Sequence, residues 1–421
     1  MDAQPRPTVS APSMAIAAFS TIVEWYDFTL YLYFATVLSR VFYGGGTGSL
    51  LLTLGGFAIA YLMRPLGALF FGHIGDRRGR RVMMLMSVAL MTAAMLATAL
   101  LPTRAAAGPV AGWLLLALRC VMGFSVGGEY TGVVAYLLEG APLRRRGLVA
   151  SSASAASEVG ALLAVAVSAL TVSLMNGSEL ERWGWRIPFF VGAVLAGSVG
   201  IARSAMHESP EFQRQLREKT IPERPLRHVF ANHRGGIARS FSISALGSIT
   251  YYVGITYVPA FLTSAGSLSE RESLWLSTIA AVAVILITPL TGLLTDRIGR
   301  KPVLIGLCVG SAALPITMFS LMAGSTRAEA LLGAIVLALV AGAVSAVGAV
   351  ATAEQFPGEG RITGLALGAT MATAVFGGLT PYGAQWLVQR TGWAGAPGAM
   401  IAAVAIAVLP VFLTMRETAP R

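Results

Sequence analysis

Two ten-residue stretches decide the fold: GHIGDRRGRR at residues 72–81 and GLLTDRIGRK at residues 292–301. The same five residues recur 220 positions apart, namely Gly72, Asp76, Arg77, Gly79 and Arg80, and then Gly292, Asp296, Arg297, Gly299 and Arg300. The spacing of Glu139, Pro142 and Arg146 recurs at Glu354, Pro357 and Arg361, and R-x-G-W recurs at residues 182–185 and 390–393. Three matches in the same order predict a chain that is duplicated in two halves.

The composition indicates a membrane protein. The chain has 421 residues, of which 55% are hydrophobic and 12% are charged. A soluble domain typically has about 25% charged residues, so this chain is too apolar to cover a soluble surface. Its two cysteines exclude a secreted disulfide scaffold, and its hydrophobicity excludes disorder.

The apolar runs predict twelve transmembrane helices, because a bilayer core needs about 20 apolar residues in a helix. Continuous runs without alternation argue against strands. We expect an all-α protein with two six-helix bundles, formed by residues 1–204 and 237–421 and joined by a cytoplasmic loop over 205–236. The runs lie near 14–43, 50–72, 82–101, 108–139, 146–174, 185–204, 237–264, 274–295, 302–323, 328–354, 361–390 and 395–415.

The cations predict the orientation. Most of the 31 Lys and Arg residues fall in loops on one side, which the positive-inside rule makes cytoplasmic together with both termini. This distribution explains the net charge of +11 without a nucleic-acid partner, so the lipid bilayer is the expected partner. The first apolar run carries Glu24 and Asp27, which is not typical of a signal peptide. The cations of the other side are Arg40, Arg104, Arg182, Arg186, Arg271, Arg327 and Arg390.

The repeated loop motif resembles the signature of the major facilitator superfamily. VEWYDF (residues 23–28), MRPLG (63–67), GFSVGGEY (123–130) and WGWRIPFF (183–190) are similar to its metabolite:proton symporter branch. That resemblance implies a porter for substrates such as proline, betaine, citrate, α-ketoglutarate or shikimate. ATAVFGGLTP (372–381) is closer to the citrate-like members. The osmosensing proline/betaine porters of this branch carry a long C-terminal coiled coil. The sequence before Arg421 shows no heptad pattern, so we do not expect osmosensing.

Ionisable residues inside the membrane are functional candidates, because a charge at the bilayer centre costs about 2.5–3.5 kcal/mol. The first half has four such acids against two arginines, Arg64 and Arg119. The acids cannot all be paired, so at least one should carry a proton. The histidines fall in loops, which leaves the carboxylates. The proton-coupling candidates are Asp27 first, then Glu129, with Glu24 and Glu158.

Two kinds of substrate contact remain open. Two arginines suit a carboxylate, whereas aromatic rings can box a quaternary ammonium. The interior of the second half offers hydroxyls, an amide and aromatic rings, so we expect it to supply neutral hydrogen bonds and aromatic walls. The substrate-binding candidates are Arg64, Arg119, Tyr31, Tyr251, Tyr252, Gln385 and Trp386.

The repeated loop residues are predicted to form a conformational latch. An acid such as Asp76 can pair with a cation or cap a helix N-terminus across the interface between the bundles. Glu139 and Glu354 are expected beside Arg146 and Arg361. Gly123, Gly127, Gly128 and Gly132 are predicted to allow close helix packing. The gating candidates are Gly72, Asp76, Arg77, Gly79, Arg80, Glu139, Arg146, Gly292, Asp296, Arg297, Gly299, Arg300, Glu354 and Arg361.

The expected function is secondary active transport. The sequence has no P-loop, metal-ligand spacing or nucleophile–base set, so we expect no enzyme and no cofactor, with H⁺ as the coupling ion. We predict a monomeric, multi-pass symporter of the bacterial inner membrane that takes up a small organic acid, such as citrate or α-ketoglutarate, or a zwitterion. The alternatives are a proton-driven exporter of a larger metabolite, drug or carboxylate siderophore, and a non-transporting sensor, for which no signalling domain is visible.

Overall fold

The structure is a computed structural model that describes residues 11–78, 80–127, 143–204, 231, 233–266, 268–324, 326–356 and 361–419. These residues form helices joined by short turns, and there is no strand among them. Helices occupy all twelve predicted stretches wherever the chain is described.

The helices of the first half follow the predicted runs, with breaks inside two of them. A break at Phe34 divides the first span, and one at Met63 divides the second. The helices are α1 (Ala11–Tyr33), α2 (Ala35–Tyr43), α3 (Thr47–Leu62), α4 (Arg64–Arg78), α5 (Arg80–Ala99), α6 (Arg104–Ala107), α7 (Val110–Ser125), α8 (Arg146–Leu174), α9 (Gly177–Arg182) and α10 (Ile187–Ser204).

The second half contains three π-helical segments, at Tyr252–Thr256, Ala366–Thr370 and Ala374–Gly378. Its α-helices are α11 (Arg234–Tyr251), α12 (Val258–Ser264), α13 (Glu270–Ile298), α14 (Arg300–Ala313), α15 (Pro315–Met322), α16 (Arg327–Ala353), α17 (Arg361–Leu365), α18 (Met371–Thr373), α19 (Thr380–Thr391) and α20 (Ala396–Thr414).

By length and apolar composition, eight described helical stretches can cross a bilayer, and the count rises to ten when each bent pair is taken as one span. The bends are 45° between α11 and α12 and 43° between α14 and α15. Pro259 and Pro315 stand in the first turn of the second helix of each pair, where the missing N–H of proline is tolerated. The other two predicted spans are helical as well, over α1–α2 and over α7.

Glycines bring the second and fourth spans into backbone contact. A Cβ on Gly67 would lie 1.9 Å from the carbonyl oxygen of Phe124, and one on Gly123 would lie 2.0 Å from that of Ala60. A Cβ on Gly127 would lie 2.2 Å from the carbonyl oxygen of Arg64. The predicted packing role of Gly123 and Gly127 is therefore confirmed, and this contact fixes the backbone of Arg64.

The two halves meet along several helices. Helix α8 of the first half packs along α13 of the second, and α3 contacts the π-helical segment Ala374–Gly378. A Cβ on Gly378 would lie 2.6 Å from Cβ of Tyr61. The residue boundaries of the two bundles, 1–204 and 237–421, remain a prediction.

Candidate functional site

A cavity of about 150 Å³ lies between the two halves. Spans 1, 2 and 4 contribute to its wall from the first half, and spans 7, 10 and 11 from the second. Its mostly apolar wall is interrupted by hydroxyl groups and by one charged side chain. The lining residues are Trp25, Arg64, Val126, Gly127, Ile243, Ser244, Gly247, Ser248, Tyr251, Tyr252, Val344, Ser345, Gly348, Ala349, Thr352, Ala353, Leu365, Ala369, Thr370 and Thr373.

Three aromatic side chains form one wall of the cavity. The ring of Trp25 meets that of Tyr251 edge-on, with centroids 5.1 Å apart, and lies 6.5 Å from that of Tyr252. Tyr251 and Tyr252 close α11 and begin a π-helical segment. Such π turns are frequent at functional sites, because they break the regular register of the helix. Tyr251 and Tyr252, two of the predicted substrate-binding residues, therefore line the cavity.

Arg64 is the one charged residue among the described residues that line the cavity. Its Nη2 donates to Oε1 of Glu24 at 2.9 Å, and its Nη1 donates to the Tyr61 hydroxyl at 2.5 Å. Tyr61 in turn shares a short hydrogen bond with Tyr252 of the second half. The guanidinium also lies over the ring of Phe28, 4.4 Å from the centroid. Arg64 therefore belongs to a polar chain that crosses the interface between the halves.

A second buried ion pair joins Asp27 and Arg119. Nη1 of Arg119 lies 3.2 and 3.1 Å from the two carboxylate oxygens of Asp27, and Nη2 donates to Thr98 Oγ1 at 3.3 Å. Both side chains are almost fully buried. Arg119 is thus the partner of Asp27, but it is not among the residues that line the cavity.

Three predicted substrate residues lie elsewhere. The Tyr31 hydroxyl donates to the carbonyl oxygen of Thr53, and the ring lies beside Arg119. Gln385 is buried and accepts hydrogen bonds from Tyr257 and Ser264. Trp386, the next residue of α19, points the other way and is 47% exposed. Adjacent helix positions face different directions, so the sequence pair Gln385–Trp386 was a poor guide to the cavity.

The second copy of the loop motif holds the two halves together. Asp296, near the end of α13, accepts hydrogen bonds from the backbone N–H groups of Gly147 and Leu148 at the start of α8, both at 2.9 Å. This carboxylate caps a helix N-terminus of the opposite half, as predicted for the motif. Gly299 adopts a φ of 103° and makes the turn into α14, a conformation that favours glycine.

The structure corrects the expected position of one arginine of this motif. Arg297 is exposed, and among the described residues it makes no hydrogen bond or ion pair. The neighbouring cation Arg300 is buried instead, 3.2 Å from Asp296, because it points inward after the turn. Arg300 also contacts Glu354 through its Nε at 3.3 Å. The side chain of Arg361, the predicted neighbour of Glu354, lies outside the described residues, so that pairing stays a prediction.

The C-terminal segment completes this cluster. Glu417 accepts hydrogen bonds from the backbone N–H groups of Arg300 and Lys301 at 2.9 and 3.0 Å, and Thr418 donates to Glu354 at 2.6 Å. Partial burial opposes ionisation of Glu417, but backbone N–H donors, including those of Thr418 and Ala419, outweigh it and lower the pKa of this carboxyl. The sequence motif gave no signal for this contact.

An ionic contact closes the opposite end of the interface. Arg40, at the end of the first span, donates through Nε to Glu181 of its own half at 2.7 Å. Its other two nitrogens donate to both carboxylate oxygens of Glu270, the first residue of α13 in the second half. Sequence reasoning treated Arg40 only as a topology marker, because its partners are 141 and 230 positions away.

Part of the predicted set lies outside the described residues. This applies to Gly128, Glu129, Gly132, Glu139 and Gly79 entirely, to the surroundings of Gly72, and to the side chains of Asp76, Arg77, Arg80 and Arg361. Arg146 is described, half-buried at the start of α8. The described residues contain no group of side chains that could hold a metal ion.

Two family profiles cover nearly the whole chain. The profile described as "Sugar (and other) transporter" matches residues 13–229, and that of the "Major Facilitator Superfamily" matches residues 240–421. The chain therefore belongs to the major facilitator superfamily of membrane transporters, and it is not an enzyme.

Relatives of known function place the chain within that superfamily. It is 31% identical to the proline/betaine transporter of Salmonella typhimurium, with 97% of this chain and 84% of the relative covered. It is 34% identical to the α-ketoglutarate permease of Escherichia coli (87% and 84% covered) and 30% identical to a citrate-proton symporter of Klebsiella pneumoniae (91% and 87% covered). The resemblance to the metabolite:proton symporter branch is confirmed.

Solved structures share the fold. The proton:xylose symporter XylE, bound to 6-bromo-6-deoxy-D-glucose, superimposes with a TM-score of 0.77 at 19% identity, and covers 97% of this chain and 96% of its own. A second structure, of a D-xylose-proton symporter, gives a TM-score of 0.72 at 21% identity over 94% and 96%. The predicted fold class, an all-α membrane protein with the major facilitator fold, is confirmed.

Proposed function

We propose that this protein is a proton-coupled symporter that imports a small zwitterion or monocarboxylate by alternating access. The observation that carries the proposal is the wall of the cavity, which contains one arginine, three aromatic rings and several hydroxyls. A buried Asp–Arg pair lies in the same half, and contacts between the halves lie at both ends of the interface. The named substrates of the relatives, which are proline, betaine, α-ketoglutarate and citrate, supply the candidates.

The cavity favours a substrate with a single carboxylate. Arg64 is the one cation on the described wall, and Glu24 already accepts one of its hydrogen bonds. A di- or tricarboxylate would bring further negative charges to a wall that is mostly apolar, where their desolvation is uncompensated. Trp25, Tyr251 and Tyr252 provide π faces for an alkylated ammonium. Proline or betaine therefore fits this wall better than citrate, which reverses the order suggested by residues 372–381.

The pair of Asp27 and Arg119 supports proton coupling. Both groups are buried, so their mutual attraction is weakly screened, and it offsets part of the cost of burying two charges. Protonation of Asp27 would break the pair and leave Arg119 without its counter-charge. Such a change in a membrane interior must be compensated by rearrangement, which gives proton binding a way to bias the conformation. We place the proton at Asp27, with Glu129 as the second predicted site.

The proposed cellular location follows from the same family relationship. The protein is a multi-pass membrane protein, and we propose that it resides in a bacterial inner membrane with both termini cytoplasmic. A single polypeptide supplies all the described residues of the cavity and of the hydrogen-bonded series that links Glu24 to Tyr252, which supports a monomeric transporter.

Uptake into proteoliposomes tests this function. With an acidic exterior, vesicles that contain the protein should accumulate radiolabelled proline or glycine betaine above the external concentration, and an uncoupler should abolish the accumulation. Citrate and α-ketoglutarate serve as comparison substrates, and empty vesicles as the control. Accumulation of citrate alone would refute the single-carboxylate argument. In vesicles loaded with substrate beforehand, loss of that substrate driven by the same gradient would identify an exporter instead.

A further inference from the structure

Glu158 differs from the other buried acids that the structure describes. Glu24 is paired with Arg64 and Asp27 with Arg119, whereas no lysine, arginine or histidine of the described residues lies within 4 Å of the Glu158 carboxyl group. Only 2% of Glu158 is exposed. An ionised carboxylate at such a position has neither water nor a cation to stabilise it, so the neutral acid is favoured.

The surroundings of Glu158 suit a neutral acid. It lies in the middle of α8, where its electrostatic neighbours are Tyr33 at the end of α1 and Tyr251 at the end of α11. Both tyrosine hydroxyls are buried and lack a well-formed hydrogen bond to any described residue. Helices α10, α13 and α16 also pack against α8, and all carry their charged residues near their ends.

Tyr251 connects Glu158 to the cavity. The Tyr251 ring lines the cavity and contacts Trp25, while Glu158 lies close enough to the same side chain to interact with it. A substrate that moves the Tyr251 ring would therefore change the surroundings of Glu158. The neutral acid can donate a hydrogen bond to a tyrosine hydroxyl, whereas the carboxylate can only accept one.

We propose that Glu158 is a second proton-binding group, linked to substrate occupancy through Tyr251. This inference rests on the proposed symport and adds a site to it. The carboxylate takes up one proton when the Tyr251 wall closes around it, and it releases that proton when movement of the wall admits water. Asp27 and Glu158 then release their protons under different conditions. Asp27 loses its proton when it pairs with Arg119, whereas Glu158 loses its proton when water reaches it.

Infrared spectroscopy tests the site without knowledge of the substrate. Difference spectra of the purified protein in lipid, recorded between about pH 5 and pH 9, report buried carboxyl groups that titrate in the range documented for such acids. We expect a carboxyl C=O band that is absent in Glu158→Gln, retained in Asp27→Asn and restored at a shifted frequency in Glu158→Asp. A band unchanged in Glu158→Gln, or no titrating band at all, would overturn the proposal.

Transport separates this inference from the proposed function. Glu158→Gln mimics the neutral acid, so it should still exchange external labelled betaine for internal unlabelled betaine at a rate within about twofold of the wild type. Its uphill accumulation should fall at least about tenfold, because one coupled proton is lost. If the wild type shows no gradient-driven uptake while the infrared band is present, the proposed symport fails and the titrating site stands. If Glu158→Gln accumulates betaine normally, the coupling role fails and the symport stands.

Discussion

Arg64 shows how one residue serves two purposes. Its guanidinium has donors in a fixed fork, and the structure uses one arm for Glu24 and another for Tyr61. The same side chain faces the cavity, so a substrate carboxylate would compete with Glu24 for it. If Arg64 anchors the substrate as proposed, its rigid shape contributes to binding as well as its charge.

The substitution Arg64→Lys separates shape from charge. A lysine keeps the positive charge but cannot hold Glu24 and Tyr61 with a planar fork, so charged hydrogen bonds are lost. We expect the apparent affinity for the transported substrate to fall about tenfold to a hundredfold, since each such bond contributes about 1.5–3 kcal/mol. Arg390→Lys, at an exposed helix end, is the matched control. Uptake kinetics that are equal in the two variants would show that Arg64 is not an anchor.

Single residues also show the limit of sequence reasoning. The composition and spacing identified Arg64, Asp27 and Tyr251 because charges and hydroxyls are rare in apolar helices. They did not identify the partner of each acid, because ion pairs such as Asp27–Arg119 join residues 92 positions apart. Glu158 was therefore ranked below Asp27, and its lack of a cation emerged only when the helices were placed together.

At the scale of helices, the contact between α13 and α8 is the best-defined latch. Asp296 caps the start of α8, and the glycines Gly147 and Gly292 let the two helices touch. A Cβ on Gly292 would lie 2.1 Å from Oγ of Ser151. The repeat in the sequence predicted that this acid caps a helix across the interface, and the latch itself stays a prediction. The repeat did not show that Arg300, and not Arg297, would be the buried cation beside Asp296. The turn at Gly299 decides which arginine points inward, and its geometry is not visible in the motif.

The substitution Gly292→Ala tests this contact. Overpacking of a tight interface costs about 1–3 kcal/mol, so the conformation in which α13 touches α8 should be disfavoured and initial uptake should slow at least about fivefold. Gly310→Ala is the matched control, because its new Cβ would meet no atom within 4 Å. Uptake rates are compared at equal amounts of folded protein in the vesicles. Equal rates for both variants would remove this contact from the transport cycle.

At the scale of the whole molecule, contacts between the halves lie at both ends of the interface, with the cavity between them. Asp296 holds one end and Arg40 the other. Alternating access requires each set of contacts to break in turn, so neither can be very strong. The pair of Arg40 and Glu270 meets this condition, because both side chains are partly exposed and such pairs contribute about 1 kcal/mol or less.

Loss of the Arg40 contact should open the cavity toward the outside. The test uses a variant in which Cys120→Ser and Cys308→Ser remove the native thiols and Ser248→Cys places one cysteine in the cavity wall. A thiol reagent that cannot cross the membrane then labels this cysteine only when the cavity is open to the side where the reagent is added. With Arg40→Gln we expect its labelling from the predicted extracellular side to rise by up to about fivefold, the population shift that corresponds to about 1 kcal/mol. Arg182→Gln, an exposed arginine on the same side, is the control. Labelling that is no faster with Arg40→Gln than with the control would show that the contact of Arg40 with Glu270 does not keep the cavity closed.

The central claim is that protons on buried carboxylates drive the movement of the two bundles, and proton flux tests it most directly. Vesicles with a trapped pH-sensitive dye and no imposed gradient receive whichever substrate they were found to accumulate. We predict that the interior acidifies as the substrate enters with the wild type, and that Asp27→Asn abolishes this acidification. Substrate entry without any change of internal pH, or acidification that is undiminished in Asp27→Asn, would contradict the account.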